Sequence, residues 1–320
     1  MNKFLEVQHL KTYFKTNSGL LHAVDDVSFR LDAGKTLGVV GESGCGKSTL
    51  GRTILGLTPA TDGRIIFQGK DITHLKGRQF KSLRKDMQIV FQDPFSSLNP
   101  RMCIYEIIAD PLKVYHDYKS KEDLKNKVCQ LMDIVGIAKR FMYTYPHELD
   151  GGRRQRVGIA RALALNPQFI ICDEPVSALD VSIQAQILNL LQDLQEEKQL
   201  TYIFITHDLS VVKHLANEIM VMYVGCVVEK CLSKELFSEP LHPYTKGLLS
   251  AIPVPSINQR KERIIMEGEL TSPVNPKPGC RFAKRCSFAK ELCESEQPAL
   301  KEVMPEHFVA CHHVRSINHL

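Results

Sequence analysis

The stretch Gly41-Glu42-Ser43-Gly44-Cys45-Gly46-Lys47-Ser48 has the spacing G-x-x-x-x-G-K-[ST] of a phosphate-binding loop. Glycines at these positions let backbone N–H groups turn toward phosphate oxygens at a helix N-terminus. Lys47 reaches the β- and γ-phosphates, and the Ser48 hydroxyl is a ligand for Mg²⁺. A second group follows the apolar run Phe169-Ile170-Ile171-Cys172, namely Asp173 and Glu174. Asp173 there helps hold Mg²⁺ through water, and Glu174 polarises an attacking water. His207 closes another apolar run, 201–206, and either contacts a γ-phosphate or orients Glu174. Gln92 follows the run 87–91 and offers its amide to Mg²⁺ or to water. Taken singly, each has a plainer explanation: a glycine turn, acids at a strand edge, a structural histidine, a loop glutamine. Together, in this order, they describe a nucleotide site.

The elements around them fit that chemistry. The run 36–40 reads as a buried strand before the loop, and 49–55 as a helix after it. The four apolar residues before Asp173 read as a strand buried on both faces, with its carboxylates at the C-terminal edge. Segments 4–14 and 23–31 alternate as strands around a turn at Asn17-Ser18-Gly19. Phe14 lies here, upstream of the loop, as either a base-stacking aromatic or a core residue. Further strands are expected at 63–69, 87–91, 201–206, 219–222 and 226–229. The segment 92–100 is turn-rich. Helical spacing runs over 104–141, over 154–165 with Gly151 opening it and Asn166-Pro167 ending it, and over 182–198. After about 253 five prolines fall within 26 residues, which places a domain boundary near 255 and a small, loop-rich appendage beyond it.

The chain has 320 residues, 43% hydrophobic and 24% charged, which is ordinary for one large or two smaller globular domains. A net charge of +5 is mild: it does not argue for a nucleic-acid partner, and it suits a surface near anionic lipid. No apolar run is long enough to span a membrane. The N-terminus lacks the apolar core of a signal peptide, so a cytosolic location is expected, where stable disulfides are rare. Ten cysteines then need another explanation, and four of them, Cys280, Cys286, Cys293 and Cys311, fall near the C-terminus. Their spacing, C-x5-C-x6-C-x17-C, does not match paired zinc motifs. Four thiolates can bind an iron–sulfur cluster, His312 and His313 beside Cys311 keep zinc open, and unligated or disulfide-bonded cysteines are the third reading. Arg281, Lys284 and Arg285 are expected to balance thiolate charge.

In order along the chain, the loop 41–48, Gln92, the segment Leu149-Asp150-Gly151-Gly152-Arg153, the strand end Asp173-Glu174 with Ser177-Ala178-Leu179-Asp180, and His207 resemble the nucleotide-binding subunits of ABC transporters. They correspond to that family's P-loop, Q-loop, signature, Walker B with D-loop, and switch histidine. The resemblance covers about residues 4–255. It implies an α/β fold: a RecA-like parallel-sheet core, an antiparallel β subdomain and a helical subdomain at about 93–165. It implies ATP and Mg²⁺ as ligands, with Phe14 on the adenine rather than Tyr13, and residues 41–48 with Thr49 on the phosphates. It also implies a head-to-tail dimer in which each ATP lies between one subunit's P-loop and the other's signature.

The signature departs from the usual Leu-Ser-Gly-Gly-Gln. Asp150 replaces a donor by an acceptor and brings negative charge toward a polyanion; like charges about 4 Å apart repel by roughly 4 kcal/mol at an effective dielectric of 20. Arg153 can offset this by pairing with Asp150 or with phosphate. An asymmetric heterodimer is therefore expected, with the competent site built on this chain's P-loop, Glu174 and His207. A largely non-hydrolysing, regulatory subunit is the alternative.

Residues 91–100, the segment 241–249 and the cysteine-bearing tail are similar to the dipeptide/oligopeptide (and nickel) uptake branch of ABC importers. That branch implies a second, homologous ATPase subunit, two integral membrane permeases, an extracytoplasmic peptide-binding protein, and a peripheral place on the cytoplasmic face of the membrane. It also implies a [4Fe–4S] cluster at Cys280, Cys286, Cys293 and Cys311, with residues 256–320 as a C-terminal extension to an ATPase domain at 1–255. ABC ATPases acting on DNA or ribosomes carry coiled-coil insertions or two cassettes, which this chain lacks. Export is disfavoured by the peptide-uptake tail. Cargo stays open among dipeptide, longer peptide and nickel.

Overall fold

A computed structural model of the chain describes residues 4–75, 77–252, 263–266, 268 and 271–320. The boundary expected near 255, with Pro253 and Pro255, lies outside the described residues, as do Met1-Asn2-Lys3. The chain divides into two units, one formed by Met1–His74 with Ile205–Leu320 and the other by Leu75–Phe204.

The first unit carries an antiparallel sheet in the order Gly19–Leu31, Leu5–Thr16, Asp62–Phe67, Lys70–Asp71. Leu5, Val7, Leu10 and Thr12 are buried along one strand, with the side chains between them more exposed. The hairpin closes with Thr16 opposite Gly19, so both strands run further toward the turn than alternation predicts. In a second sheet the strands Lys301–Met304, His307–Val309, Cys226–Leu232, Glu218–Tyr223 and Thr36–Val40 are neighbours in that order. Thr36–Val40 pairs in parallel with Glu218–Tyr223, and the other pairs are antiparallel. All five residues of Thr36–Val40 are buried, as a continuous apolar run requires. This strand feeds the phosphate loop, and the helix Lys47–Ile54 leaves it.

The tail holds more regular structure than its prolines suggest. It is loop-rich around the turn Ala283–Arg285 and the short helix Glu291–Ser295, and then supplies the two edge strands above. A buried carboxylate secures them. Glu229 accepts from the N–H groups of Leu241 (2.7 Å) and His242 (3.0 Å) and hydrogen-bonds the His307 imidazole at 2.7 Å. Both Glu229 and His307 are fully buried, so each needs this partner to offset desolvation.

The second unit holds the parallel pair Met87–Val90 and Phe169–Asp173, with Thr201–Thr206 beside the latter. Helices Ile104–Val114, Lys121–Ile134, Gly151–Leu163 and Val181–Lys198 pack through residues at helical spacing, such as Leu124, Val128, Leu131 and Met132. The helical pattern read over 104–141 is thus two helices and a 3-10 turn, Lys139–Phe141. Helices Arg78–Leu83 and Leu209–Leu215 had no sequence counterpart. No helix among the described residues is long and apolar enough to cross a membrane.

Candidate nucleotide site and cysteine centre

In the first unit the loop 41–46 wraps the N-terminus of Lys47–Ile54. No side chain caps that helix; its N-cap is Gly46. Gly46 has φ 105°, and a Cβ there would lie 2.0 Å from the Ala23 carbonyl oxygen. Gly41 has φ 151°, and its Cβ would lie 2.2 Å from the Met222 oxygen. Only glycine fits at either place. With no N-cap side chain in the way, this helix start has the backbone N–H groups and positive dipole end that suit an anion. Lys47, 4% exposed, donates to the carbonyls of Gly41 (2.7 Å) and Glu42 (2.9 Å), which folds the loop around its ammonium. The buried Cys45 thiol has its pKa raised by burial, so it is a neutral wall of the loop. Thr12 Oγ1 meets Thr53 Oγ1 at 3.0 Å, tying the first hairpin to this helix. On that hairpin Phe14 is 38% exposed. Tyr13 is engaged instead: its ring stacks on His22 at 3.9 Å and its phenol donates to Asp25. His207, in the same unit, is exposed just after Thr201–Thr206. Asp208 caps the next helix by accepting from Ser210 N–H at 2.8 Å.

In the second unit Phe169–Asp173 ends at Asp173, 2% exposed, followed by Glu174 in the left-handed region at φ 47°. Gln92 Nε2 donates to Glu174 Oε2 at 3.0 Å, so these two expected site residues meet directly. Ser177 N–H donates to the Glu174 carbonyl at 3.3 Å. Gln184 Nε2 donates to the carbonyls of Val176 (3.0 Å) and Leu179 (2.9 Å), clamping the segment 176–179 that contains Ser177 and Ala178. Asp180 then caps Val181–Lys198 by accepting from Ile183 N–H at 3.0 Å. The Gln184 clamp was not foreseen, because a glutamine inside a helix looks like any surface residue.

Leu149 is buried, and Asp150 starts the helix Gly151–Leu163. Its carboxylate accepts from Arg153 N–H at 2.7 Å and also pairs with the Arg153 guanidinium. Of the two pairings open to Arg153, this structure holds the one to Asp150. A Cβ on Gly152 would meet Ile183 Cγ2 at 2.6 Å, so this glycine also serves helix packing.

Cys280, Cys286, Cys293 and Cys311 line one small cavity of about 20 Å³ together with His313. Cys280 N–H donates to the Cys293 carbonyl at 2.7 Å, which closes the lobe. Burial raises the Cys280 thiol to about 11 and also raises Cys286 and Cys311. His313 Nε2 is buried with no hydrogen-bond partner at this cavity. The four thiols and this imidazole nitrogen share one cavity and are metal-ligand types, but they do not come within 4.8 Å of one another as a group. The neighbouring cations do something other than expected. Arg281 donates to the Val224 carbonyl (2.6 Å) and to Asp25, while Arg285 donates to Glu42. Carboxylates on the first hairpin and the phosphate loop take both guanidiniums, so these two arginines do not balance thiolate charge. Among the described residues, the group whose ligand-type atoms lie within 4.8 Å of one another is a different, buried one, Glu229, Cys231 and His307, and there the carboxylate already holds the imidazole.

Residues 24–177 match the ABC transporter family model, and residues 228–293 match that of the oligopeptide/dipeptide transporter C-terminal region. The chain is 52% identical to the oligopeptide transport ATP-binding protein AppF of Bacillus subtilis (strain 168), over 96% of each chain. It is 49% identical to the oligopeptide transport ATP-binding protein OppF of Escherichia coli (strain K12), over 96% of this chain and 95% of that one. Among solved structures, the ATP-binding cassette MJ0796, a dimer in a post-hydrolysis state bound to ADP and Pi, aligns with TM-score 0.66 at 28% identity. It covers 72% of this chain and 98% of that one. With the strand–loop–helix around 41–48 and the acid pair at 173–174, these likenesses identify the fold as the P-loop ABC cassette. The chain belongs to the ATP-binding subunits of ABC transporters, in the branch bearing the oligopeptide/dipeptide transporter C-terminal region, and is an ATP hydrolase coupled to transport.

Proposed function

We propose that this chain is the ATP-hydrolysing subunit of an ABC importer for dipeptides or oligopeptides. The observation that carries this is its full-length likeness to oligopeptide transport ATP-binding proteins. The working assembly is a head-to-tail pair with a second, homologous ATPase, seated under two membrane permeases at the cytoplasmic face of the membrane and fed by an extracytoplasmic peptide-binding protein. Residues 1–255 form the ATPase domain, with its helical subdomain at about 93–165, and residues 256–320 form the extension.

Each site residue has a chemical task. Phe14 stacks on adenine, and the N–H groups of 43–49 with Lys47 hold the phosphates. Ser48, Asp173 and Gln92 supply hard oxygen donors for Mg²⁺, which neutralises phosphate charge. Glu174, steadied by Gln92, polarises the attacking water, and His207 orients the γ-phosphate end. The partner's signature completes this chain's site, while Leu149–Arg153 serves the partner's ATP, where the Asp150–Arg153 pair slows turnover. ATP hydrolysis by the co-expressed pair in permease-containing vesicles tests this reading. Glu174→Gln should retain ATP and lose turnover; normal turnover removes Glu174 from the role of base.

Cys280, Cys286, Cys293 and Cys311 hold a [4Fe–4S] cluster that cross-links a lobe with little core of its own. Zinc is the second reading, kept open by His312 and His313 beside Cys311. Protein purified without oxygen separates the two. Absorbance near 400 nm with about four irons supports the cluster, and a colourless protein with one zinc supports the alternative.

A further inference from the structure

The cysteine lobe and the phosphate loop belong to the same unit, and side chains next to the sulfurs end on the loop. Arg285 immediately precedes Cys286. Its guanidinium grips the Glu42 carboxylate with two parallel bonds, Nη1 to Oε2 at 2.8 Å and Nη2 to Oε1 at 3.1 Å. The Arg285 side chain is only 10% exposed, so this pair escapes most of the screening that weakens surface ion pairs. The main chain of Glu42 is held as well: its N–H donates to Tyr244 Oη at 2.9 Å. The fully buried Tyr244 packs with Tyr223 (ring centroids 4.7 Å apart) and Phe282 (5.4 Å), and Phe282 lies on the same segment as Cys280 and Cys286. The Glu42 carbonyl in turn accepts from Lys47.

Arg281, immediately after Cys280, follows the same pattern. It donates to the Val224 carbonyl and to Asp25. Gly225, next to Val224, donates to the Cys45 carbonyl inside the loop at 2.8 Å, and Asp25 N–H donates to the Gly225 carbonyl at 2.8 Å. Thus residues flanking two of the four sulfurs hold both the side chain of a loop residue and the backbone beneath the loop. Electrostatics gives the grip a direction: an unpaired Glu42 carboxylate beside a polyphosphate site repels the ligand, and Arg285 neutralises it.

We propose that the four-cysteine lobe sets the affinity of the phosphate loop for ATP within the same chain, with Arg285 as the positioning residue that carries the effect through Glu42. This rests on reading 41–49 as the ATP site and the four cysteines as a metal centre.

The test is equilibrium binding of a fluorescent ATP analogue with Mg²⁺ to the full chain, with iron and zinc content measured in parallel. Arg285→Ala should weaken binding about tenfold while moving the unfolding temperature of the nucleotide-free protein by less than about 3 °C. Arg285→Lys, which keeps the charge but not the fork, should recover part of the loss. Cys286→Ser should weaken binding in the same direction, and the double variant should be no weaker than the weaker single variant, as coupled residues require. Chelator treatment of the folded parent replaces Cys286→Ser if that variant does not accumulate. Parent-like affinity in Arg285→Ala or in the sulfur-perturbed protein overturns the proposal, and so does simple additivity of the two. The underlying readings fail separately: the ATP-site reading if Lys47→Ala binds as the parent does, the metal reading if the parent carries neither iron nor zinc.

Discussion

The helix Lys47–Ile54 starts at Gly46, with no N-cap side chain, whereas Gly151–Leu163 starts at Asp150, whose carboxylate accepts from Arg153 N–H and pairs with the Arg153 guanidinium. Both starts are glycine-rich, and both belong to motifs expected to face phosphate. One keeps its partial positive charge for an anion from outside the chain, and the other has already given part of it to a carboxylate of its own. A third start, Pro243–Ser250, is capped by His242, whose Nδ1 accepts from Tyr244 N–H at 3.1 Å. That cap works only while the imidazole is neutral. The residue at the N-cap therefore decides whether a helix end recruits an anion, repels one or responds to pH.

The largest expected effect comes from emptying the bare end. Lys47→Ala should weaken ATP binding about 1000-fold, since charge-assisted bonds to phosphate are lost; calorimetry on the full chain checks this, and a loss below tenfold breaks the contrast. Giving the bare end a side chain comes next. Gly46→Ala places a Cβ against the Ala23 oxygen at a left-handed φ and should cost about 3 kcal/mol of stability in denaturant unfolding.

The imidazole cap predicts a pH effect of about 2 kcal/mol. Burial lowers the His242 pKa from 6.5 to about 4. A depressed folded value means that the stability from the neutral ring is complete above pH 6.5 and is lost as pH falls toward 4. Between pH 7 and 5 this group accounts for about 2 kcal/mol of that loss. His242→Asn retains an acceptor for Tyr244 N–H and should flatten the profile in urea unfolding at those two pH values. The smallest effect sharpens the comparison most. Asp150→Ser with Arg153→Gln should raise ATP turnover of the complete pair several-fold, about 1 kcal/mol of barrier. Unchanged turnover would mean that Asp150 is neutral at the site it faces.

Much of the nucleotide machinery was legible because it is contiguous. A strand, a glycine loop and Lys47-Ser48 lie within the stretch 36–48, and Asp173-Glu174 directly follow a buried run. The short helices Arg78–Leu83 and Leu209–Leu215 were not legible, since each is too brief to show a period. The strands Lys301–Met304 and His307–Val309 were hidden because the short hairpin they form joins its sheet only where His307–Val309 pairs with 226–232, far back in the chain. Arg281 and Arg285 were misread for a related reason: adjacency to cysteines suggested thiolate partners, but the carboxylates they meet lie 256 and 243 residues away.

By itself the sequence determined the local chemistry: which loop can turn its amides inward, where carboxylates end a strand, and that four thiols are available near the C-terminus. Backbone geometry over a few residues and side-chain type suffice for that. Only the tertiary structure decided partners. It brought Cys280, Cys286, Cys293 and Cys311 to one cavity, gave Arg153 to Asp150 and Arg285 to Glu42, and set Tyr244 against the phosphate loop. A charge or donor pairs with whatever group folding places within about 3 Å, and for these side chains sequence distance carries almost no information about that.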